Sequence, residues 1–526
     1  MSTAKAITAG DLQQRVEYLA SDALEGRFTG SNGHRLATNY IAGELQRLGL
    51  EPAGDAGSYF QTVPGMIRIH PLNHRLSVGT TALVPLRDFV AVHPGGTGRH
   101  FTDAPVIFGG FLDDTTRRPT REEAAGKFVI LIYRNPRNNA GNVRSAEFDP
   151  RLRDAAAIAT VNPARAMAAW AREATRPGPE QLGTIGSSVA AVPSVLAISA
   201  ETAALLFGRP VDSLVSIGAG GQRASGAFDF RIETLEVRNV VAILRGSDAV
   251  RAREYVALGA HSDHLPFRDP PVDHDSLRAF SIAGETRARE LGRRLTADEH
   301  FAIRVNTDSL RAIAPTRPDS IHNGADDDAS GTAALLEIAE QLAAGRRPAR
   351  SVLFVWHAAE ELGLLGSSHF TDHPTVERKA IVAQLNLDMI GRGGVSDIAE
   401  GGPGYLQVIG WRRLSTGLGD AIERVNRSQP TPFAFDLQFD APGHRERLYC
   451  RSDHFAYARF GIPVAFFTTG GHRDYHQVTD EARYLDFDKM RRVTSLVHDV
   501  ATELANAEAP PRVDGRVPEP GALCVQ

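Results

Sequence analysis

The chain has 526 residues, 42 % hydrophobic and 23 % charged, with a net charge of −5. That balance is globular and excludes disordered and collagen-like chains. No basic excess points to nucleic acid or an anionic membrane, and no apolar run approaches the ~18–20 residues of a membrane span.

Residues 11–50 predict two helices. Leu12, Val16, Leu19 and Ala20 recur at helical spacing, as do Leu36, Tyr40, Ile41, Leu45 and Leu48. The Gly-rich loop EGRFTGSNG lies between them. From about residue 85 short β-like runs take over: APVIFGG, KFVILIY and VPSVLAIS. A helix is expected over Pro163–Glu173. From about residue 226 apolar strands alternate with helices, the pattern of a mostly parallel α/β sheet. The expected strands are Val240–Leu244, Tyr255–Gly259, Ser351–Trp356, Ile381–Leu387 and Val464–Thr468. A helix over Ser330–Ala343 should be capped by Ser330 and ended by Gly345. The charged segment Arg268–Ser320 reads as an insertion or long loop with one helix near Ser276–Arg294, and residues 509–526 as an extended tail.

Cys450 and Cys524 are too few for a disulfide framework or a thiolate zinc site, and whether they pair stays open. The start MSTAKAITAGDLQQ lacks the apolar core of a signal peptide. The expectation is a cytoplasmic protein, or a secreted or periplasmic one if the chain is a trimmed mature form.

Five segments concentrate carboxylates and histidines, most of them just past an apolar strand. They are YVALGAHSDH, NGADDDASG, SVLFVWHAAEELGLLGS, AQLNLDMIGR and PVAFFTTGGHRDYHQVTDE. In an open α/β sheet the carboxyl ends of the strands share one crevice, so these clusters should converge. Taken singly, each has an ordinary reading as a cap, turn or solvated pair. Together they place too many carboxylates in one crevice to stay ionised without cations. Oxygen ligands mixed with imidazole suit zinc, manganese or cobalt, and a metal pair can activate water against a carbonyl. The adjacent Glu360 and Glu361 can supply a proton carrier and a ligand. No GxSxG elbow or HExxH helix is present.

At AHSDH, NGADDDASG, EELGLLGS, NLDMIGR, RSDHF and DYH the sequence resembles the co-catalytic di-zinc aminopeptidases of the leucyl aminopeptidase and aminopeptidase Y type. The likeness spans residues 226–505 and extends to LASDALEGRFTGSNG near the N-terminus. It implies two Zn2+ per chain, with Mn2+ or Co2+ as alternatives, and a peptide substrate. His261 and Asp388 would be terminal ligands of one zinc, Asp327 the bridge, and Glu361 and His476 terminal ligands of the other. Glu360 would be the general base on metal-bound water, Asp263 the carboxylate that orients His261, and Tyr475 an oxyanion-stabilising phenol. His264, His357, His369, His454 and His472 are expected to line or support the site. Asp328 stands where many members carry Asn, which leaves the bridging register among Asp326, Asp327 and Asp328 to be located.

The implied organisation is a catalytic domain from residues 1–85 and 226–508, a β-rich insert over 86–225 resembling a protease-associated domain, and the tail. The resemblance implies a metal-dependent exopeptidase, an aminopeptidase before a carboxypeptidase or dipeptidase. A receptor-like member should lack ligands, and glutaminyl cyclase-like transfer would use one zinc.

Overall fold

The computed structural model describes residues 3–93, 100–112, 114, 116–132, 149–175, 182–184, 193–268, 270–398, 400–519 and 524–526. The chain forms two compact units. One comprises Met1–Pro64 and Glu236–Gln526, the other Gly65–Leu235. The insert therefore starts earlier and ends later than the 86–225 expected. The long strands Met66–Val78 and Gly220–Thr234 pair antiparallel with each other and belong wholly to the second unit.

The first unit is built on one nine-stranded mixed sheet. Its centre is parallel: Ser351–His357 pairs with Tyr255–His261, then Ile381–Leu387, then Val464–Thr468. Val237–Leu244 joins antiparallel at one side and Tyr405–Ile409 at the other. All five expected strands form; Tyr255–His261 and Ser351–His357 run past their expected ends, which brings His261 and His357 into register opposite each other. The central strands are buried along their whole length, as near-continuous Val, Leu, Ala and Phe requires of a sheet covered on both faces.

Ala9–Leu19, Asn32–Arg47, Gly331–Ala344 and Phe487–Asn506 cover one face. Leu335, Ile338, Ala339 and Leu342 of the third helix pack into the same core as Phe354 and Trp356. Each such side chain contributes roughly 1.5–3 kcal/mol of burial. Ser330 does not cap this helix. Its own backbone is already helical, and its hydroxyl donates to Asp326 O. The first-turn N–H of Gly331 goes instead to Asp328 Oδ1 at 2.8 Å. Segment 268–320 is mainly helical, with His274–Leu291, Ala297–Ala302 and Thr307–Ile313 replacing the expected loop. The tail is irregular over the residues described, and the Cys450–Cys524 disulfide anchors its end. Among the described residues no helix is long and apolar enough to cross a membrane.

The second unit has its own nine-stranded sheet and its own apolar core around Phe89, Phe108, Phe128 and Phe228. The expected strands there appear as His100–Phe111, Phe128–Ile132 and Ser194–Ile198, and the expected helix as Ala164–Thr175. Tyr133 and Val192, at the margins of two expected runs, lie outside the described residues.

Candidate metal centre

All eight predicted site residues lie in the first unit. His261, Asp263, Glu360, Glu361 and Asp388 sit at or just past the carboxyl ends of parallel strands, Asp327 in the Ala325–Ser330 turn before the Gly331–Ala344 helix, and Tyr475 and His476 in the loop that follows Val464–Thr468. Three backbone positions there are left-handed although none is glycine: Ala359 before Glu360, Met389 after Asp388, and His476 itself. Such conformations are costly outside glycine and concentrate where a site over-determines them.

Asp327 is the hub. Its Oδ1 lies 3.1 Å from His261 Nε2, and its Oδ2 lies 3.2 Å from His476 Nε2. Asp388 Oδ1 is 3.7 Å from the same His261 nitrogen, and Glu361 Oε2 is 3.2 Å from the same His476 nitrogen. One carboxylate thus presents an oxygen to each of two donor sets, His261 with Asp388 and His476 with Glu361.

The three consecutive aspartates point three ways. Asp326 Oδ1 accepts from Gly391 N at 2.7 Å, and its Oδ2 lies 3.3 Å from His472 Nε2. Asp328 accepts from His261 N, Gly331 N and Met389 N, so it ties the loop to two neighbouring strands. Of the three, Asp327 alone faces both His261 and His476.

Electrostatics separate these groups further. Burial raises Asp328's carboxyl well above its usual range, with Asp388 and Asp327 adding to the shift. Burial works the same way on Asp327, but His264, His261 and His476 outweigh it and hold that carboxyl well below its usual range. Burial opposes protonation of His476, yet Asp327 and Glu361 raise the imidazole to about 10. Burial raises Glu360 well above the usual range; Glu361, Asp453 and Asp388 reinforce this while His261 opposes it. Asp388 Oδ1 is buried with no hydrogen-bond partner. A buried, partnerless carboxylate oxygen facing imidazole and other carboxylates fits a divalent cation and little else. Two groups have the spacing of a metal site, His261–Asp327–Asp388 and, with His264 in the place of His476, His264–Asp327–Glu361.

Asp263 lies where the sequence places it, fully buried, but its carboxylate is 3.7 Å from His261 Nδ1 while its backbone carbonyl is 3.1 Å away. Its oxygens serve other partners: Oδ1 accepts from Glu360 N and Oδ2 from Thr29 Oγ1. Tyr475 stacks on His476 with ring centroids 3.8 Å apart, and Arg451 donates to its hydroxyl at 3.2 Å. His357 pairs with Asp453 and Tyr457, and His454 stacks on Phe466, both away from the hub. His369 is packed beside His373.

Several supporting residues went unassigned in the sequence. Arg27, fully buried, donates to Leu19 O, Asn323 O, Gly324 O and Asp327 O, so the Gly-rich N-terminal loop holds the loop that carries the hub. Asp480 accepts the N–H groups of Asp326 and Asp327. Ser452 donates to Asp388 Oδ2 at 2.8 Å. The motifs EGRFTGSNG and RSDHF were the signal for Arg27, Thr29 and Ser452, but spacing alone gave them no role.

A third group, His274, Asp319 and Glu481, has metal-like spacing as well. Arg483 donates to His274 Nε2 at 2.9 Å, which leaves the ring proton on Nδ1, 2.8 Å from Asp319. Arg483 and Arg317 pair with Glu481. Arginine already neutralises this cluster, which fastens segment 268–320 to the turn after His476.

The family model for peptidase family M28 matches residues 239–501, half of the chain. Among curated proteins, leucine aminopeptidase 1 of Aspergillus oryzae is 31 % identical over 198 residues, 35 % of this chain and 47 % of that protein. Leupeptin-inactivating enzyme 1 of Streptomyces exfoliatus is 30 % identical over 175 residues, 32 % of this chain and 35 % of that protein. The chain spans about half the length, or less, of these curated relatives. Among solved structures, a zinc aminopeptidase from Bacillus subtilis aligns at a TM-score of 0.51 and 18 % identity, covering 96 % of this chain and 97 % of that one. That likeness concerns the fold.

Proposed function

The chain belongs to peptidase family M28, and from that premise we propose that it is a zinc-dependent aminopeptidase holding two metal ions. The observation that carries the reading is the hub: Asp327 turns one oxygen to His261 and the other to His476. His261 and Asp388 would hold one zinc, Glu361 and His476 the other, with Asp327 shared. Manganese or cobalt suits the same donors. When bound, the metals supply Lewis acidity toward the scissile carbonyl and toward water.

The chain's own residues do the rest. Glu360 accepts the proton of the attacking water and returns it to the leaving amine. Its raised proton affinity suits that exchange. Tyr475 keeps its hydroxyl proton, since burial raises it far above the usual tyrosine range, and can donate to the developing oxyanion. His476 is the most exposed of the five proposed ligands, its side chain 34 % accessible, which marks the side from which a peptide reaches the site.

The Cys450–Cys524 bridge supports residence in an oxidising compartment. The Gly65–Leu235 unit, resembling a protease-associated domain in its strand motifs, contributes none of the assigned residues. The test is a panel of free aminoacyl-nitroanilides and N-blocked peptides with and without chelator. Cleavage of free substrates alone, abolished by chelator, supports the reading. Cleavage of N-blocked peptides at their carboxyl end selects a carboxypeptidase instead.

A further inference from the structure

We propose that His264 is a positioning residue for the second metal subsite, fixing Glu361 so that one of its oxygens stays turned toward Asp327 and His476. The inference rests on the two-metal reading above.

The two terminal carboxylates are built alike. Asp388 has Oδ2 tied to Ser452 Oγ at 2.8 Å, which leaves Oδ1 facing His261. Glu361 has Oε1 at 2.7 Å from His264 Nδ1, which leaves Oε2 facing His476. Each carboxylate thus has one oxygen against a neighbour's polar atom, hydrogen-bonded in Asp388 and in close contact in Glu361, and the other presented to the centre. His264 Nδ1 is nearer Glu361 than the hub, where the distance to Asp327 Oδ2 is 3.8 Å.

An ionised carboxylate only accepts, so the ring proton sits on Nδ1. Nε2 is then a buried acceptor, and among the described residues neither ring nitrogen has a partner of full hydrogen-bond geometry. Of the two ring nitrogens, Nδ1 is the one that lies against a carboxylate oxygen, 2.7 Å from Glu361 Oε1.

The ring is held in place independently. Gly324 lies flat against it at φ +54°, where a Cβ would come within 2.5 Å of Cδ2 and 2.6 Å of Cγ. The backbone of His264 forms a parallel bridge with Phe28. The glycine of NGADDD and the loop EGRFTG therefore both serve the seat of this one imidazole.

The test is zinc titration of the chelator-stripped full chain against a chromophoric chelator, with thermal unfolding of each stripped protein alongside. His264→Leu removes the donor, and His264→Asn restores an N–H near the position of Nδ1. The expected result is a second-zinc affinity 10–100-fold weaker in His264→Leu and within threefold of wild type in His264→Asn. The first-zinc affinity and the stripped melting temperatures should be unchanged. If leucine prevents folding, the flexible apolar His264→Met is read the same way. Two zincs bound normally by the apolar variant would show a bystander and overturn the inference alone. Loss of the second zinc in both variants would also overturn it, since the imidazole itself would then be a ligand. A wild type that takes a single zinc overturns the two-metal reading and this inference with it.

Discussion

The backbone N–H of Glu360 donates to Asp263 Oδ1 at 3.1 Å. The proposed proton carrier and the first histidine's neighbour are thus joined directly. Asp263's second oxygen takes Thr29 Oγ1 at 2.9 Å. The loops after the Tyr255–His261 and Ser351–His357 strands are therefore set relative to each other by one buried carboxylate.

Glu360→Gln keeps that backbone bond and the side chain's shape but cannot accept a proton. General acid–base catalysis contributes roughly 10²–10⁴ in rate. We expect kcat to fall by that factor with KM within several-fold and metal content unchanged, the pattern of a lost transition-state interaction. Steady-state kinetics with elemental analysis decide it; near-normal kcat removes Glu360 from the mechanism.

Thr29→Val should act through Asp263 without touching a ligand. A hydrogen bond to a buried charged group contributes about 1.5–3 kcal/mol, so the urea midpoint should fall and metal affinity weaken. Thr29→Ser should restore both. Equal metal affinity in the valine and serine variants would show that the hydroxyl does not support the centre.

His476→Ala and Glu361→Ala should each lose one metal ion per chain, since each removes a donor from the Asp327 Oδ2 side. His357→Ala should keep the full complement, because its partners are Asp453 and Tyr457. Elemental analysis after gel filtration separates these outcomes.

Lys489 gives a pH prediction away from the centre. Burial, against the pull of Asp486, Asp326 and Asp397, lowers its ammonium from 10.5 to about 8. Its Nζ donates to Gly393 O and Gly402 O. Between those two values the unfolded chain holds the proton and the folded chain has lost it, so this residue's effect on stability improves as pH rises. Below pH 8 the burial cost is present in full. Relative to Lys489→Met, the wild type should gain on the order of 3 kcal/mol from pH 8 to 10.5. A flat difference across that range refutes the assignment.

Reduction of Cys450–Cys524 opens a loop whose ends are 74 residues apart in sequence. Chain-entropy arguments put the loss near 4 kcal/mol. Urea unfolding with and without reductant should show it, and the Cys450→Ser/Cys524→Ser pair should become indifferent to reductant.

The central strands were legible because buried parallel strands are continuous apolar runs with few alternatives. The convergence of acids and histidines was legible because most of them follow strand ends that share one edge of the sheet. What sequence spacing could not show was direction. Ser330 looks like a helix cap until the preceding turn is seen already wound, with Asp328 serving the first N–H. His264 was grouped with His357 and His454, since a buried histidine reads the same whether it meets a carboxylate ligand or the core. The second unit extends beyond 86–225 because Met66–Val78, a stretch given no element from sequence, pairs along its length with Gly220–Thr234.

Phe60–Val63 and Val237–Leu244 pair antiparallel, with Val63 opposite Val237. The chain leaves for the second unit one residue after that pair's first strand and returns one residue before its second. Topologically, everything from Gly65 to Leu235 occupies the place of a hairpin turn, which two to five residues could close. The exit and return points are already held together by the ladder, so this junction is a natural seam. Whole modules can be gained, exchanged or excised there in evolution or by recombinant design, with no strand of the first unit changing its neighbours.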